Sequence, residues 1–286
     1  MVTVLREEKY WDVLYQSAQG PAKRRNQDSS AVRVTSDGDL VFAVADGHGA
    51  PVHARSHVGS RHAVEVFTAS GIEFAVRARA AAGSGPGGFR RLWTDAHDRM
   101  PRELVLKWRR QVLGTDGESL GEQPRLYESL RPFGTTLIGV VLTDGLFAAW
   151  QLGDGDLVVV DDDGSLTQPL TPARPELGDD TESMCSRRAW QLMRVHCALP
   201  GDPGRLPRLV ALSTDGLSNS FAERDGFVRF VRDVDRRITA EGPAAVDEAL
   251  QGWLAQAGRY SGDDTTAVVA RNRRTLPPHG GREEED

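Results

Sequence analysis

Several acids in this chain share one setting. Asp46 ends the apolar run VFAVA, and Asp215 follows LVALST. Asp154 stands in QLGDGD, Asp263 and Asp264 come directly before TTAVV, and Asp28 lies in NQDSS before AVRV. Each borders a strand-like stretch, and several neighbour glycine. If those strands are neighbours in a sheet, their ends gather four or five carboxylates, which repel one another without a counter-charge. Hard divalent cations supply that charge and prefer oxygen ligands. Two Mg²⁺ or Mn²⁺ ions about 4 Å apart, bridged by one carboxylate, would generate a hydroxide and stabilise an in-line displacement at phosphorus. Against this stands the commonest use of Asp-Gly, which is a turn. Asp46 and Asp215 differ from the other Asp-Gly pairs in the long apolar strand before each.

The elements that must position these acids are visible as runs. AVRV and LVFAVA flank a turn at Asp37-Gly38. TTLIGVVL and LFAAWQL flank Asp144-Gly145, a hairpin signal. LVVV, RLVALS and TTAVVA supply further strands. A helix is expected from Pro51, which suits a first helical turn, to about Ser70, with Gly71 as its stop. Residues 80–88 (AAAGSGPGG) read as a loop, 89–113 as a second helix, and 114–132 as a polar surface segment. Residues 164–193 read as an irregular excursion outside the core. The first 20 residues are mixed, with Trp11 and Tyr15 spaced to pack on one side. Phe227, Phe230, Val231 and Val234 share one helical face, as do Val246, Ala249, Leu250, Trp253 and Ala257. Hairpin-joined strands with helices in two blocks argue for antiparallel sheets with helices packed outside. One domain is expected over residues 1–272, followed by a polar tail, 273–286, with too little apolar content to fold.

Composition excludes other classes. The chain has 286 residues, enough for a sizeable core, with 39% apolar and 27% charged residues. Its net charge of −6 makes no electrostatic case for nucleic acid. Cys185 and Cys197 are too few for a zinc cluster or a disulfide framework, read as packing residues, and suit a reducing compartment. No apolar run approaches the roughly 20 residues of a membrane helix, and the N-terminus carries early acids and no apolar h-region. A cytoplasmic location is expected, with no membrane partner. GSGPGG lacks the Lys-Ser/Thr ending of a phosphate-binding loop.

Taken in order, RRNQD, VFAVADGHG, FGTTL, QLGDGD, LSTDGLSNS and GDDTTAVV resemble the successive signatures of metal-dependent serine/threonine phosphatases of the PP2C type. The wording is nearer the divergent bacterial branch. The resemblance implies an α+β fold, an αββα sandwich of two mainly antiparallel sheets flanked by helices, with a two-metal centre at one end. It implies Asp46 as bridging ligand, the Gly47 carbonyl on one ion, and Asp215 and Asp263 as the remaining carboxylates of the other. Asp28 is similar to the acid that binds or orders water beside the metals. Asp154 matches an acid that, in bacterial members, helps hold a third, weaker ion. His48 matches the proposed general acid for the leaving alcohol. Lys23 stands where the family has a phosphate-binding Arg, with Arg24 or Arg25 as a neighbouring substitute. Lysine binds phosphate as a point charge without the bidentate fork. Gln27 replaces a frequent Glu, and Asn219 a frequent Asp.

The expected reaction is hydrolysis of phosphoserine and phosphothreonine in proteins by a hydroxide bridging two Mn²⁺ or Mg²⁺ ions. The expected partner is a phosphoprotein substrate, with a cognate kinase. Two rivals stand beside it. One is a PP2C-like module that binds a phosphoprotein without turnover, motivated by Gln27 and Lys23. The other is a phosphatase for a small phosphorylated molecule, a choice that residues 164–200, the expected substrate flap, leave open.

Overall fold

The run LVFAVA is apolar at every position because both of its faces are covered. In the computed structural model it is a strand, β4 (Leu40–Ala45), buried throughout. Phe42 and Val44 face a second sheet, while Val41, Ala43 and Ala45 face helices. The structure describes residues 6–7, 10–82, 84–114, 124–170, 182–198, 206–223 and 225–275.

Two sheets stack on each other. One has six strands in the order β1 (Arg6–Glu7), β2 (Trp11–Ala18), β11 (Thr265–Asn272), β10 (Leu209–Ser213), β7 (Asp156–Val160) and β8 (Leu166–Thr167). The other has five: β3 (Ser29–Val34), β4, β5 (Leu137–Thr143), β6 (Leu146–Leu152) and β9 (Arg194–Ala198). All pairings are antiparallel. Between the sheets, Trp11, Phe42, Val140, Leu212 and Val268 belong to one apolar core. Outside the five-stranded sheet pack α1 (Ser56–Ala82), α2 (Gly85–Thr94), α3 (Met100–Leu113), α4 (Pro124–Leu130) and the short α5 (Ala189–Leu192). Outside the other pack α6 (Asp215–Ser218), α7 (Gly226–Glu241) and α8 (Pro243–Ser261). This is the expected αββα sandwich.

Register sets which strand ends meet. Ser29 pairs with Ala45, Ser213 with both Asp156 and Ala267, and Thr265 with Ala18. The end of β4, the end of β10 and the starts of β3, β7 and β11 therefore lie at one end of the sandwich.

Several local expectations are corrected. Gly71 does not stop the first helix. α1 runs on to Ala82, and a Cβ at Gly71 would sit 2.5 Å from Val41 Cγ1. The glycine is there so that the helix can lie close on β4. Pro51 opens a short 3₁₀ turn, Pro51–His53, ahead of α1. The second helical segment is three pieces: α2, a π turn at Asp95–Arg99, and α3. Within the polar stretch 114–132, α4 forms and Leu130 is buried. Residues 164–193 are not all outside the core, since Leu170, Met184, Ala189 and Met193 are buried. The first 20 residues hold β2, whose Trp11, Val13 and Tyr15 share one face as their spacing predicts. Arg273–Thr275 continue past β11 as a 3₁₀ turn, and the rest of the expected tail lies outside the described residues. No helix among the described residues is long and apolar enough to cross a membrane.

Candidate active site

Asp46 is the first residue beyond β4 and is anchored by its own backbone. Its N–H donates to Thr136 Oγ1 at 3.0 Å. Its carbonyl accepts from Thr136 N at 2.9 Å and from Thr135 Oγ1 at 2.7 Å. The two threonines of FGTTL thus clamp the acid from the neighbouring strand, which is the structural role their apolar setting suggests. Gly47 follows under strict packing. A Cβ there would meet Gln27 O at 2.6 Å and Ser56 C at 2.9 Å. Any larger residue would push Asp46 out of line.

Asp46 is surrounded by acids. Burial raises its pKa well above the carboxylate range, and the charges of Asp28, Asp215 and Asp263 raise it further. A side-chain hydrogen bond with Asp215 adds to the rise. Asp215 opens α6 and is itself raised, by burial and then by Asp154. Asn219 Nδ2 bonds its Oδ2 at 3.0 Å. Asp28 is pushed from 3.8 to about 7, chiefly by burial. Thr214 Oγ1 donates to its Oδ2 at 2.7 Å, while its Oδ1 is buried with no hydrogen-bond partner. These four acids, expected together, are together. Asp154 is exposed at the rim, where its charge reaches Asp215 and His48.

The basic residues divide. Lys23 Nζ is 2.5 Å from Asp263 Oδ1 and 3.4 Å from Gln27 Oε1. Its pKa is raised although burial opposes this, because Asp263, Asp264 and Asp46 outweigh the desolvation. Arg24 is exposed, and among the described residues no hydrogen bond or ion pair links it to these acids. Arg25 turns to the ring of His57. His48 is largely buried, its ring 4.9 Å from that of His53. Burial first, and His53 second, lower its pKa to about 4, so it is neutral at neutral pH.

Asp156 escapes the sequence reading, and Asp264 and Gln27 take roles it did not assign. Asp156, at the start of β7, is half-buried, bonded to Ser218 and raised in pKa by burial and by Asp215. The signal was present: it is one more acid bordering an apolar strand. Asp264 is 2% exposed and accepts from the backbone N–H of Gly20 and of Gln27, both at 2.8 Å. It fastens the loop that carries Lys23. Gln27 is the hub of that loop. Its amide donates to His48 O at 3.1 Å and to Ser56 Oγ at 2.6 Å, and its carbonyl accepts from Ser60 Oγ at 2.6 Å. A carboxylate could not make the bond to His48 O. That gives the neutral amide a local reason to stand where the resembling family often has Glu.

Among the described residues no three acids, histidines or cysteines converge tightly enough to form a metal cluster. The donor chemistry nevertheless fits hard divalent ions. It consists of carboxylate oxygens crowded in a buried site, one of them, Asp28 Oδ1, without any donor. Crowded acids without cations relieve repulsion by taking up protons, and the raised pKa values of Asp46 and Asp215 follow that direction.

No curated protein matches the sequence. Solved structures match its fold. A bacterial serine phosphatase aligns over 91% of this chain and 96% of its own, at 12% identity and a TM-score of 0.58. The serine/threonine phosphatase Stp1 from Staphylococcus aureus aligns over 95% and 97%, at 13% identity and a TM-score of 0.56. The catalytic domain of the serine threonine protein phosphatase PstP, in complex with two manganese ions, aligns over 92% and 98%, at 16% identity and a TM-score of 0.50. These likenesses carry the fold alone. The family signature of Protein phosphatase 2C, by contrast, matches the sequence itself over residues 21–255, a span that holds Lys23, Asp28, Asp46 and Asp215, and by that match the chain belongs to the protein phosphatase 2C family.

Proposed function

We propose that this chain is a metal-dependent phosphomonoester hydrolase acting on phosphoserine and phosphothreonine of proteins, with two Mn²⁺ or Mg²⁺ ions. The observation that carries the reading is the crowding of Asp28, Asp46 and Asp215 where the strand ends meet, with a buried Asp28 oxygen that has no hydrogen-bond partner; burial and neighbouring acids raise the pKa of all three. Family membership and the two manganese ions held by PstP support it. When bound, such ions stabilise phosphoryl oxygens as Lewis acids and acidify water.

The chain's own residues have separate tasks. Asp46, the Gly47 carbonyl, Asp215 and Asp263 would hold the two ions. Asp28, held by Thr214, would order water through its free Oδ1. Asp154 at the rim would serve a third, weaker ion. Lys23 is the cation within reach of a phosphate, and its bond to Asp263 must loosen when that acid takes up metal. His48, neutral at neutral pH in the metal-free protein, must gain a proton during turnover before it can give one to a leaving alcohol. A single domain over residues 1–272, a cytoplasmic location and a cognate kinase complete the reading.

The test is hydrolysis of an aryl phosphate with Mn²⁺, with excess chelator, and for Asp46→Asn. Removing several kcal/mol of charge stabilisation should lower the rate by about 10²–10³-fold in the variant. No turnover with Mn²⁺, or turnover indifferent to chelator and to the substitution, overturns the proposal. Tight phosphopeptide binding without hydrolysis would instead mark a binding module.

A further inference from the structure

The end of the sandwich opposite Asp46 carries a second charged site. α1 starts beside the acids, where Ser56 packs on Gly47, and its rise of about 1.5 Å per residue puts Arg77 about 30 Å further along. There the last turns of α1, α2 and the π turn Asp95–Arg99 enclose a cleft of about 580 Å³. Four arginines line it, Arg77, Arg90, Arg91 and Arg99, against one acid, Asp95. Asp95 is shared by Arg77 at 2.5 Å and Arg99 at 3.6 Å, and Arg99 also holds Glu103 at 2.7 Å. Four guanidiniums against these two carboxylates leave two positive charges over, and among the described residues no carboxylate pairs with Arg90 or Arg91. Arg77 Nη2 is buried without an acceptor, so even this paired guanidinium is only partly satisfied. Arg79, by contrast, is spent on Asp37 and Asp39 and adds nothing to the excess.

The π turn is part of the construction. The Met100 N–H donates to the carbonyl of Asp95, five residues back. The wide turn sets Asp95 and Arg99 on the cleft while Ala96 and Met100 stay in the core. Single π turns recur at functional sites. In a chain of net charge −6 the cleft is a local reversal of the field, and its concavity focuses that field. Between the arginines the wall is apolar, with Ala80, Ala81 and Leu92, and no aromatic residue lines it. This combination suits an acidic peptide, whose carboxylates take guanidinium forks while its small side chains lie on the alanines. It does not suit single-stranded nucleic acid, which binds by stacking on aromatic rings.

We propose that the arginine cleft of α1 and α2 is a docking site for an acidic segment of a partner protein. Carboxylates of the segment meet Arg90 and Arg91 at the mouth, the two cations with no carboxylate of their own among the described residues. Exposed ion pairs are individually weak, so the site holds its segment through several at once, and salt loosens it. About nine extended residues, at roughly 3.3–3.6 Å each, span the distance of about 30 Å from the cleft to Asp46. A phosphoprotein docked here would therefore offer the acid cluster a residue about that far along its chain, at a raised effective concentration. That consequence rests on the phosphatase reading. The docking does not, because the cleft shares no residue with the acid cluster.

Fluorescence anisotropy of a labelled peptide that alternates glutamate and alanine tests the site on the full chain. Chelator is present, so the result does not depend on metal or on hydrolysis. The variants are compared at about 0.1 M salt, where exposed charges more than about 10 Å apart are screened. R90E/R91E turns both attractions into repulsions and should weaken binding by at least about tenfold. R90K/R91K keeps the charge but not the fork, and should stay within about fivefold of the native chain. Both arginines are exposed, so the fold does not depend on them. R232E/R236E makes the same change of net charge on exposed positions of α7, outside the other sheet, and should bind as the native chain does. Absence of binding to the native chain, or equal losses in R90E/R91E and R232E/R236E, overturns the site. An oligothymidylate strand that binds more tightly than the peptide, and is lost in R90E/R91E, overturns the acidic-segment reading in favour of nucleic acid.

Discussion

Strand β11 joins two buried acid clusters that solve the same problem in opposite ways. At its far end Arg271, 1% exposed, bonds Asp235 Oδ1 at 3.0 Å, and Arg208 holds the other oxygen of that carboxylate. Arg271 Nη1 also donates to the Asp235 carbonyl and to Thr239 Oγ1, which fixes the guanidinium on that carboxylate. At the near end Asp28, Asp46 and Asp215 are half-buried and crowded against other acids, and the cation at hand, Lys23, is drawn to Asp263. An acid kept for structure is buried with its cation. An acid kept for a ligand is buried with its own kind, and the cost stays until the ligand arrives.

The contrast predicts opposite signs for two substitutions. Asp235→Ala leaves Arg271 buried and uncompensated, which costs about 3–5 kcal/mol. At roughly 2–4 °C per kcal/mol for a chain somewhat smaller than this one, the midpoint of thermal unfolding should fall by about 6 °C or more. Asp46→Asn removes a repelling acid, and in chelator at pH 8 the midpoint should rise by a few degrees. Thermal melts of both variants in EDTA settle the matter. If Asp46→Asn melts lower than the native chain, the near cluster is a structural network and the contrast is broken.

A pH series sharpens the same point with a slightly smaller effect. Asp28 binds its proton more tightly in the fold, at about 7, than at its ordinary 3.8. That stability is complete below about pH 4 and is lost as pH rises through about 7. The amount at stake is at most about 4 kcal/mol. In chelator the native midpoint should therefore fall between pH 5 and 8 relative to Asp28→Asn, which no longer titrates. With Mn²⁺ the stabilisation should be larger at pH 8 than at pH 5, because metal and proton compete for the same oxygens. Parallel curves for the two proteins in chelator would show that Asp28 ionises as freely as an exposed acid.

How much of this was readable in the sequence follows from the range of the forces. Asp46 and Asp215 stood out because a strand buried on both faces must be apolar throughout, so an acid at its end is conspicuous. The sandwich followed from hairpin turns and two helical blocks. Gly71 misled because a helix stop and a close helix–sheet approach call for the same residue, and only Val41 across the gap distinguishes them. The strand β9 and the buried Met184 and Met193 were hidden because their partners, β6 and the outer helices, are distant in sequence. Asp264 was counted with the metal-side acids, yet it bonds the backbone of Gly20 and Gln27 more than 230 residues away. Spacing along a chain cannot tell an acid that faces acids from one that faces amides.

The smallest expected effect tests how rigidly the near cluster is held. Thr136 is a threonine in an otherwise apolar strand region because its hydroxyl takes the N–H of Asp46. The β4–β5 ladder pairs residues only as far as Val44 and Ile138, so that N–H has passed beyond the ladder. Thr136→Val keeps the shape and the Thr136 N–H bond to the Asp46 carbonyl but leaves one buried donor unpaired, a cost of about 1–3 kcal/mol. Thr136→Ser keeps the acceptor and should recover most of it. If the backbone clamp aims Asp46, the valine variant should also bind Mn²⁺ about tenfold more weakly, in the range of supporting residues around metal sites. Calorimetric titration of Mn²⁺ separates the two roles. A valine variant that melts lower yet binds Mn²⁺ as the native chain does would make Thr136 a folding contact only, and the aim of Asp46 would then rest on Thr135 and the packing of Gly47.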